Sequence, residues 1–369
     1  MKLSNIKTQP VIEYGENKLL KLQDFDKHND YPNKLLELVK SSGTVTACID
    51  VRAKFIRGEG FNENLENLIV NRKGQNINDI LKLASYDVAL FDGFCLHINY
   101  NEYLEVCEIN YVPFESARLE KSDDIGFVNT VAIAKWYKKP RKGQIDYINT
   151  FNSNKQVIAT QVEKAGGIKS YKGQILYVGN NGENTYPESI CTGIIADIST
   201  EAAVSIVKNR NANNGFFPAC LLVFHESTKE NPDNEDGQSD HEFYTNEVRN
   251  LQGAENAMNT LVATIGNKDE MPEVKMISGE NYDKAFELTE KTVQANIGKR
   301  FIQPPILRCE NVSTGFDTDA MESAYKYYNS ITKEDRVFVQ RAFQKIIANY
   351  KYDIPKDIIT INKLKYGSD

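Results

Sequence analysis

The chain has 369 residues, 41% apolar and 26% charged, an ordinary globular composition with length for about two or three domains. Its 44 basic and 51 acidic residues leave a formal charge of −7, so the molecule as a whole does not attract nucleic acid. Any contact with DNA must rest on local patches or on enclosure.

The six cysteines, Cys48, Cys95, Cys107, Cys191, Cys220 and Cys309, are widely spaced, with no CxxC pair and no zinc-like cluster. They read as free thiols, mostly buried, in a reducing cytoplasm. No basic-then-apolar leader opens the chain. No apolar run approaches the roughly 18 residues that would span a bilayer. The expectation is a protein neither secreted nor membrane-embedded.

In chain order, a polar arm runs to about His28. Asp30-Tyr31-Pro32 then opens a helix with Asp30 as its cap and Pro32 in its first turn. Leu35, Leu36, Leu38 and Val39 form the apolar face of that helix. A second helix carries Val45, Cys48, Ile49, Ala53 and Ile56 and stops at Gly58-Glu59-Gly60. A third runs from about Ile77 to Phe91. The period then becomes two at Phe94 to Tyr100, the start of a strand-rich meander to about Val178. Val131 to Trp136 and Ile145 to Phe151 are its further strands.

From Tyr186-Pro187 the pattern is helical again through Ile190, Ile194, Ile198 and Val204, with Gly215 as the stop. A strand at Ala219 to Phe224 precedes a polar, acidic loop at 226–240. Strands follow at Asn259 to Ile265 and Glu273 to Ile277. Asp283 caps the next helix, in which Glu287 and Lys291 form an i,i+4 pair. Pro304-Pro305 ends that helix, because proline cannot continue helical geometry and restricts its predecessor. The polar stretch Asn311-Val312-Ser313-Thr314-Gly315 follows. The last helices span about Thr318 to Tyr350, broken near Ser330 by the capping-box match Thr332-x-x-Asp335.

Catalytic motifs are not found. Cys95 and His97 share one face of a strand, so a thiolate–imidazole pair or half a metal site is geometrically allowed. Two semi-buried strand residues are the plainer reading, and four histidines leave little for a zinc site. Aligning Gly237 of Asp233-Asn234-Glu235-Asp236-Gly237 to a calcium loop puts Pro232 and Phe243 at ligand positions, so an EF-hand fails. Ala165-Gly166-Gly167-Ile168-Lys169-Ser170 lacks the spacing of a phosphate loop and reads as a hairpin turn. The basic run Lys138 to Lys142 has the charge to touch phosphate, and a solvated turn between two strands is the favoured reading. No cofactor or metal is expected.

Several segments stand in a set order: Tyr31-Pro32 with its Leu-rich helix, Ala47-Cys48-Ile49 through Gly58-Glu59-Gly60, and Tyr186-Pro187 with the helix up to Asn214-Gly215-Phe216-Phe217-Pro218. Gly253-Ala254-Glu255-Asn256-Ala257, Gln303-Pro304-Pro305-Ile306-Leu307, Gly315-Phe316 and the Ala320 to Phe343 run complete the set. Together, over about residues 30 to 345, they resemble phage portal proteins of the HK97-like group, particularly those of phages infecting Bacteroidetes.

The resemblance implies an α+β portal fold. An arm at 1–29 precedes a wing at 30–187, and stem helices at 188–213 and 283–301 flank a small α/β clip at 214–281. A tunnel-loop region at 302–317, a backing helix at 318–350 and a short tail at 351–369 follow, with the crown reduced or absent. It implies a dodecameric ring at one capsid vertex of the virion, assembled in the host cytoplasm. Double-stranded DNA would pass through this ring, and the large terminase subunit, head–tail adaptor and major capsid protein would contact it. Pro304, Pro305 and Asn311 to Gly315 would line the channel, with Lys291, Lys299 and Arg300 as guiding cations. An acidic subunit repeated around a ring makes a poorly adhesive conduit for phosphates. A cytoplasmic enzyme built on Cys95 and His97 is the rival reading.

Overall fold

A computed structural model of the chain describes residues 15–180, 185–214, 221–225, 261–265, 282–309 and 318–367. They are mixed helix and strand and fall into two units, residues 1–199 with 294–369, and residues 200–293.

In the first unit, β1 (Glu16–Asn17) pairs antiparallel with β2 (Leu22–Gln23). The stretch expected to be a polar arm is therefore structured from residue 15, and Leu22 and Phe25 are buried. Next come α1 (Tyr31–Lys40), α2 (Gly43–Arg57), β3 (Gly60–Phe61), the short α3 (Glu63–Glu66) and α4 (Ile77–Phe91). The three long helices lie where their apolar periods predict. The Asp30 cap does not form: its carboxylate pairs with Lys34 at 2.7 Å instead of bonding the first turn. Helix α4 has a capping box between Asn76 and Asp79.

The sheet has six strands: β4 (Gly93–Tyr100), β5 (Val106–Val112), β6 (Ala117–Leu119), β7 (Thr130–Ile133), β8 (Asp146–Thr150) and β9 (Gln174–Gly179). Their order is β5-β4-β9-β8-β7-β6. All pairs are antiparallel except β8–β9, which is parallel. A meander cannot produce that pair, because parallel neighbours need a crossover. The crossover is α5 (Lys155–Lys164), a helix that the period-two pattern does not predict. Its Val157, Ile158, Thr160 and Val162 are β-branched and mimic a strand. Its cap, Asn154 accepting from the Gln156 amide, is the local signal for it. Gly166 and Gly167 consequently end a helix and form no hairpin turn. Strand β7 also stops at Ile133, and Trp136 turns inward to donate from Nε1 to the Ser116 carbonyl at 2.7 Å.

The helix α6 (Ile195–Asn214) crosses from the first unit into the second. The helical stretch Ile190–Asn209 is, by length and composition alone, long and apolar enough to cross a bilayer, which corrects the expectation that no such run exists. In the second unit, β10 (Leu221–His225) pairs in parallel with β11 (Leu261–Ile265). Helix α7 (Tyr282–Arg300) starts one residue before the expected cap Asp283 and returns to the first unit. The expected strand at Glu273 to Ile277, the stop at Gly215 and the acidic loop at 226–240 lie outside the described residues.

Helices α8 (Thr318–Ile331) and α9 (Lys333–Ile347) break where expected. The capping box does not form. The Thr332 hydroxyl donates to the Tyr328 carbonyl, and Asp335 takes Arg52 as its partner at 3.0 Å. The final β12 (Ile361–Asn362) pairs antiparallel with β3. Aromatic side chains knit these helices to the sheet: Phe94 meets Phe338 and Phe343, Phe61 meets Phe343, and Phe55 meets Tyr325 and Tyr328.

One buried acid in this core carries a pH signature. Asp87 is fully enclosed, with Oδ1 accepting from the Tyr111 hydroxyl at 3.0 Å. Burial pushes its carboxyl well above its ordinary 3.8. The folded state thus holds the proton longer than the unfolded one. That contribution is complete below about pH 3.8 and is lost as pH rises toward the folded value. Urea midpoints from pH 5 to 8 should therefore fall less in Asp87→Asn than in the wild type, the slope for one group being at most about 1.4 kcal/mol per pH unit. Identical slopes would show that Asp87 does not retain its proton.

Candidate functional site

The segment at 310–317 lies outside the described residues, and so do Asn311, Val312, Ser313, Thr314 and Gly315. Both of its flanks are described. Helix α7 ends at Arg300, Phe301 is buried, and Ile302 takes a left-handed φ of 53°. Pro304 then starts a 3-10 turn over Pro305–Arg308, which ends at Cys309 in the left-handed region. The two prolines fix φ at their own positions, and Ile302 and Cys309 hold a left-handed backbone that costs a non-glycine residue energy, so this is a tightly determined turn.

Gln303 anchors the turn. It is 4% exposed, and its Nε2 donates to the Cys48 carbonyl of α2 at 2.6 Å and to the Tyr328 hydroxyl of α8 at 3.0 Å. Tyr328 in turn donates to the Phe301 carbonyl at 3.3 Å. One amide thereby ties the end of α7 to both α2 and α8.

Arg308 reaches back onto α7. A Cβ built at Gly298 would lie 1.0 Å from its Nη1, so the guanidinium occupies the space that any other side chain at 298 would need. Glycine is the only residue type that admits this contact without displacing Arg308. A glycine late in a polar helix was a visible signal for it. Gln303 had none.

The three expected cations differ. Lys291 is paired with Glu287 at 2.7 Å, and Lys299 is exposed. The Nε of Arg300 donates to the Ile190 carbonyl at 2.8 Å, and its guanidinium packs over Gly193. A further bond from Asn296 to Asp197 at 3.2 Å joins α7 to the start of α6. Arg300 is thus half of a helix-to-helix tie. The structure brings Arg300 and Pro304-Pro305 to one end of α7, and Lys291 lies more than two turns away along the helix.

The Cys95–His97 pair is built differently from a reactive site. Strand β4 sits between β5 and β9, and Cys95 is fully buried. Burial pushes its thiol well above the ordinary range, so no thiolate forms there at neutral pH. His97 hydrogen-bonds the Lys172 carbonyl through Nε2 at 2.6 Å and fastens the start of β9. Among the described residues, no group of three or more His, Cys, Asp or Glu is placed to hold a metal ion.

No protein-family model matches the sequence, and no curated protein matches it. The structure does have solved counterparts. It superposes on a chain from the virion of a native gene transfer agent particle with a TM-score of 0.54 and 12% identity, over 86% of this chain and 81% of that one. A chain from the neck of the native particle, computed with C12 symmetry, gives 0.54 and 11% over 87% and 82%. The HK97 family phage portal protein from Corynebacterium diphtheriae superposes more loosely, at 0.42 and 11% over 85% and 91%, and adds nothing to that correspondence. At such identities the likeness establishes the fold.

Proposed function

We propose that this chain is a portal protein: one subunit of a homo-oligomeric ring at a capsid vertex of a virion, through which double-stranded DNA is packaged and ejected. The observation that carries the reading is the shared fold over most of both chains with a component of a particle neck. The sequence resemblance, made from different residues, points the same way.

In this reading residues 30–187 form the wing, 188–213 and 283–301 the stem, 214–281 the clip and 318–350 the helices behind the tunnel loop. The loop region is 302–317, with Asn311 to Gly315 facing the DNA. The turn at Phe301 to Cys309 serves it by fixing the chain where the loop region begins: Gln303, Tyr328 and Arg308 are its anchors. Pro304 and Pro305 belong to that turn. Lys299 is an exposed cation two residues before it. Assembly takes place in the host cytoplasm, and the large terminase subunit, head–tail adaptor and major capsid protein are the partners. The ring is a dodecamer, and ATP hydrolysis belongs to the terminase.

Negative-stain microscopy of the purified chain tests the reading. Rings with a central channel are expected. Monomers under every salt and concentration condition would sink it. Deleting Asn311 to Gly315 is expected to leave the rings intact and impair genome retention; normal retention would remove the loop from the channel.

A further inference from the structure

Three hollows lie in a row along α9. The first and second share Lys333 and Val337, and the second and third share Arg341. The first two contain carboxylates with partners nearby: Glu322 pairs with Lys326, and Asp92 and Asp335 face Arg52. The third, about 680 Å³, has no carboxylate in its wall. Arg341, Lys345 and Lys356 converge on it, beside the neutral polar side chains of Asn152 and Ser153.

Arg341 and Lys345 stand one turn apart on α9, about 6 Å by helical rise. Lys356 comes from the segment that follows the helix. That segment is held in place by Gln344, whose Nε2 donates to the Ile359 carbonyl at 3.0 Å, and by Gln340, whose Oε1 accepts from the Ile361 amide at 3.0 Å. All three cations are exposed, and among the described residues none has a carboxylate partner. Three like charges gathered on a concave wall focus a positive potential there. In a chain of net charge −7 this is a local reversal of sign.

We propose that this hollow binds the phosphate backbone of nucleic acid. Phosphate contacts need only cations and neutral donors, which the wall supplies. A peptide needs apolar anchor pockets, and here the apolar wall is only Phe151 and Ala348. The guanidinium of Arg341 offers a planar fork to one phosphate, and the two ammonium groups act as point charges on its neighbours. The site differs from the cations of α7, of which Lys291 and Arg300 are already engaged.

The test is fluorescence anisotropy of a labelled DNA duplex with the full chain, between about 50 and 200 mM salt. Joint Arg341→Glu, Lys345→Glu and Lys356→Glu replacement is expected to weaken binding by about tenfold or more. It should also flatten the plot of log K against log salt by about 3. The milder set Arg341→Gln, Lys345→Gln and Lys356→Gln should flatten it equally, and circular dichroism reports whether either variant is folded. Reversing the exposed Lys18, Lys82 and Lys169 to Glu makes the same change in net charge and is expected to cost much less.

Equal losses in the two charge-reversed proteins would assign binding to net charge and overturn the site. Unchanged binding in the Gln set, or no salt-dependent binding by the wild type, would overturn it too. Poly-glutamate bound as tightly as DNA, and lost in the same variants, would make the hollow a dock for an acidic protein and refute the assignment to nucleic acid. Ring formation is scored separately by microscopy, so this result stands or falls apart from the portal reading.

Discussion

Arg118→Met is expected to destabilise the first unit by about 3–5 kcal/mol, the usual cost of breaking a buried charged network by removing one member. Arg118 is completely buried, and burial lowers its guanidinium to about 10. Its cost of burial is offset by four hydrogen bonds, to the Asn29 side chain and backbone carbonyl and to the Glu115 and Ala117 carbonyls. Phe25 and Trp136 lie against it at 5.6 and 5.2 Å. Methionine fills the volume but removes all four bonds, leaving the Asn29 side-chain oxygen with only the Phe25 amide at 3.0 Å, and Asp24 loses its nearby cation. The stretch from Leu22 to Asn29 then keeps Tyr186, which donates to the Gln23 carbonyl at 2.6 Å and stacks on Phe25, together with the β1–β2 pairing and the Leu22–Glu120 bridge. Urea denaturation reads the loss, and early protease cleavage between Leu22 and Asn29 locates it. Arg118→Lys should recover little, because a point charge cannot serve four acceptors in a plane. Full recovery by lysine would show that charge alone, and not the fork, holds the segment.

Gly58→Ala is expected to cost about 3 kcal/mol or more. Gly58 ends α2 at φ 59° and ψ −143°, backbone that side chains avoid. A Cβ there would stand 1.8 Å from the Asn362 carbonyl oxygen, which already accepts from the Glu59 amide at 3.1 Å. Alanine must push β12 off β3 and expose Ile361, which is 7% accessible. Gly74→Ala is the matched control: its φ is 75° with nothing within 4 Å of the added carbon. That change should cost only the backbone strain, about 1–2 kcal/mol. Equal urea midpoints for the two variants would mean that β12 yields without cost and is not a stable part of the unit.

The long helices are legible in the sequence, because apolar period and turn residues are local signals. The α2 stop at Gly58-Glu59-Gly60 and the break before Lys333 fall where the chain's own residues place them. The crossover helix α5 is not legible, since it buries only Ile158 and carries β-branched residues that suit a strand equally well. Only the parallel pairing of β8 with β9 requires it. The Thr332 and Asp30 caps fail for a related reason. Capping is a local preference, and the Tyr328 carbonyl, Arg52 and Lys34 are competing partners.

The candidate site divides in the same way. Pro304-Pro305 marks the end of α7 in the sequence itself, because proline acts on its own backbone and its neighbour's. What makes that end an anchor is decided across the fold. Gln303 bonds Cys48, 255 residues away, and no spacing rule reaches that far. The Cys95–His97 pair shows the converse: strand period puts both on one face, but the central place of β4 buries the thiol and raises its pKa. Overall charge is likewise readable as −7. The gathering of Arg341, Lys345 and Lys356 on one carboxylate-free wall is not, because it depends on the chain folding back after α9. The sequence by itself determined the helices of clear apolar period, the proline stop and the acidic balance, which depend on near neighbours. Burial, long-range hydrogen bonds and local charge depend on which distant segments meet, and only the tertiary structure decided those.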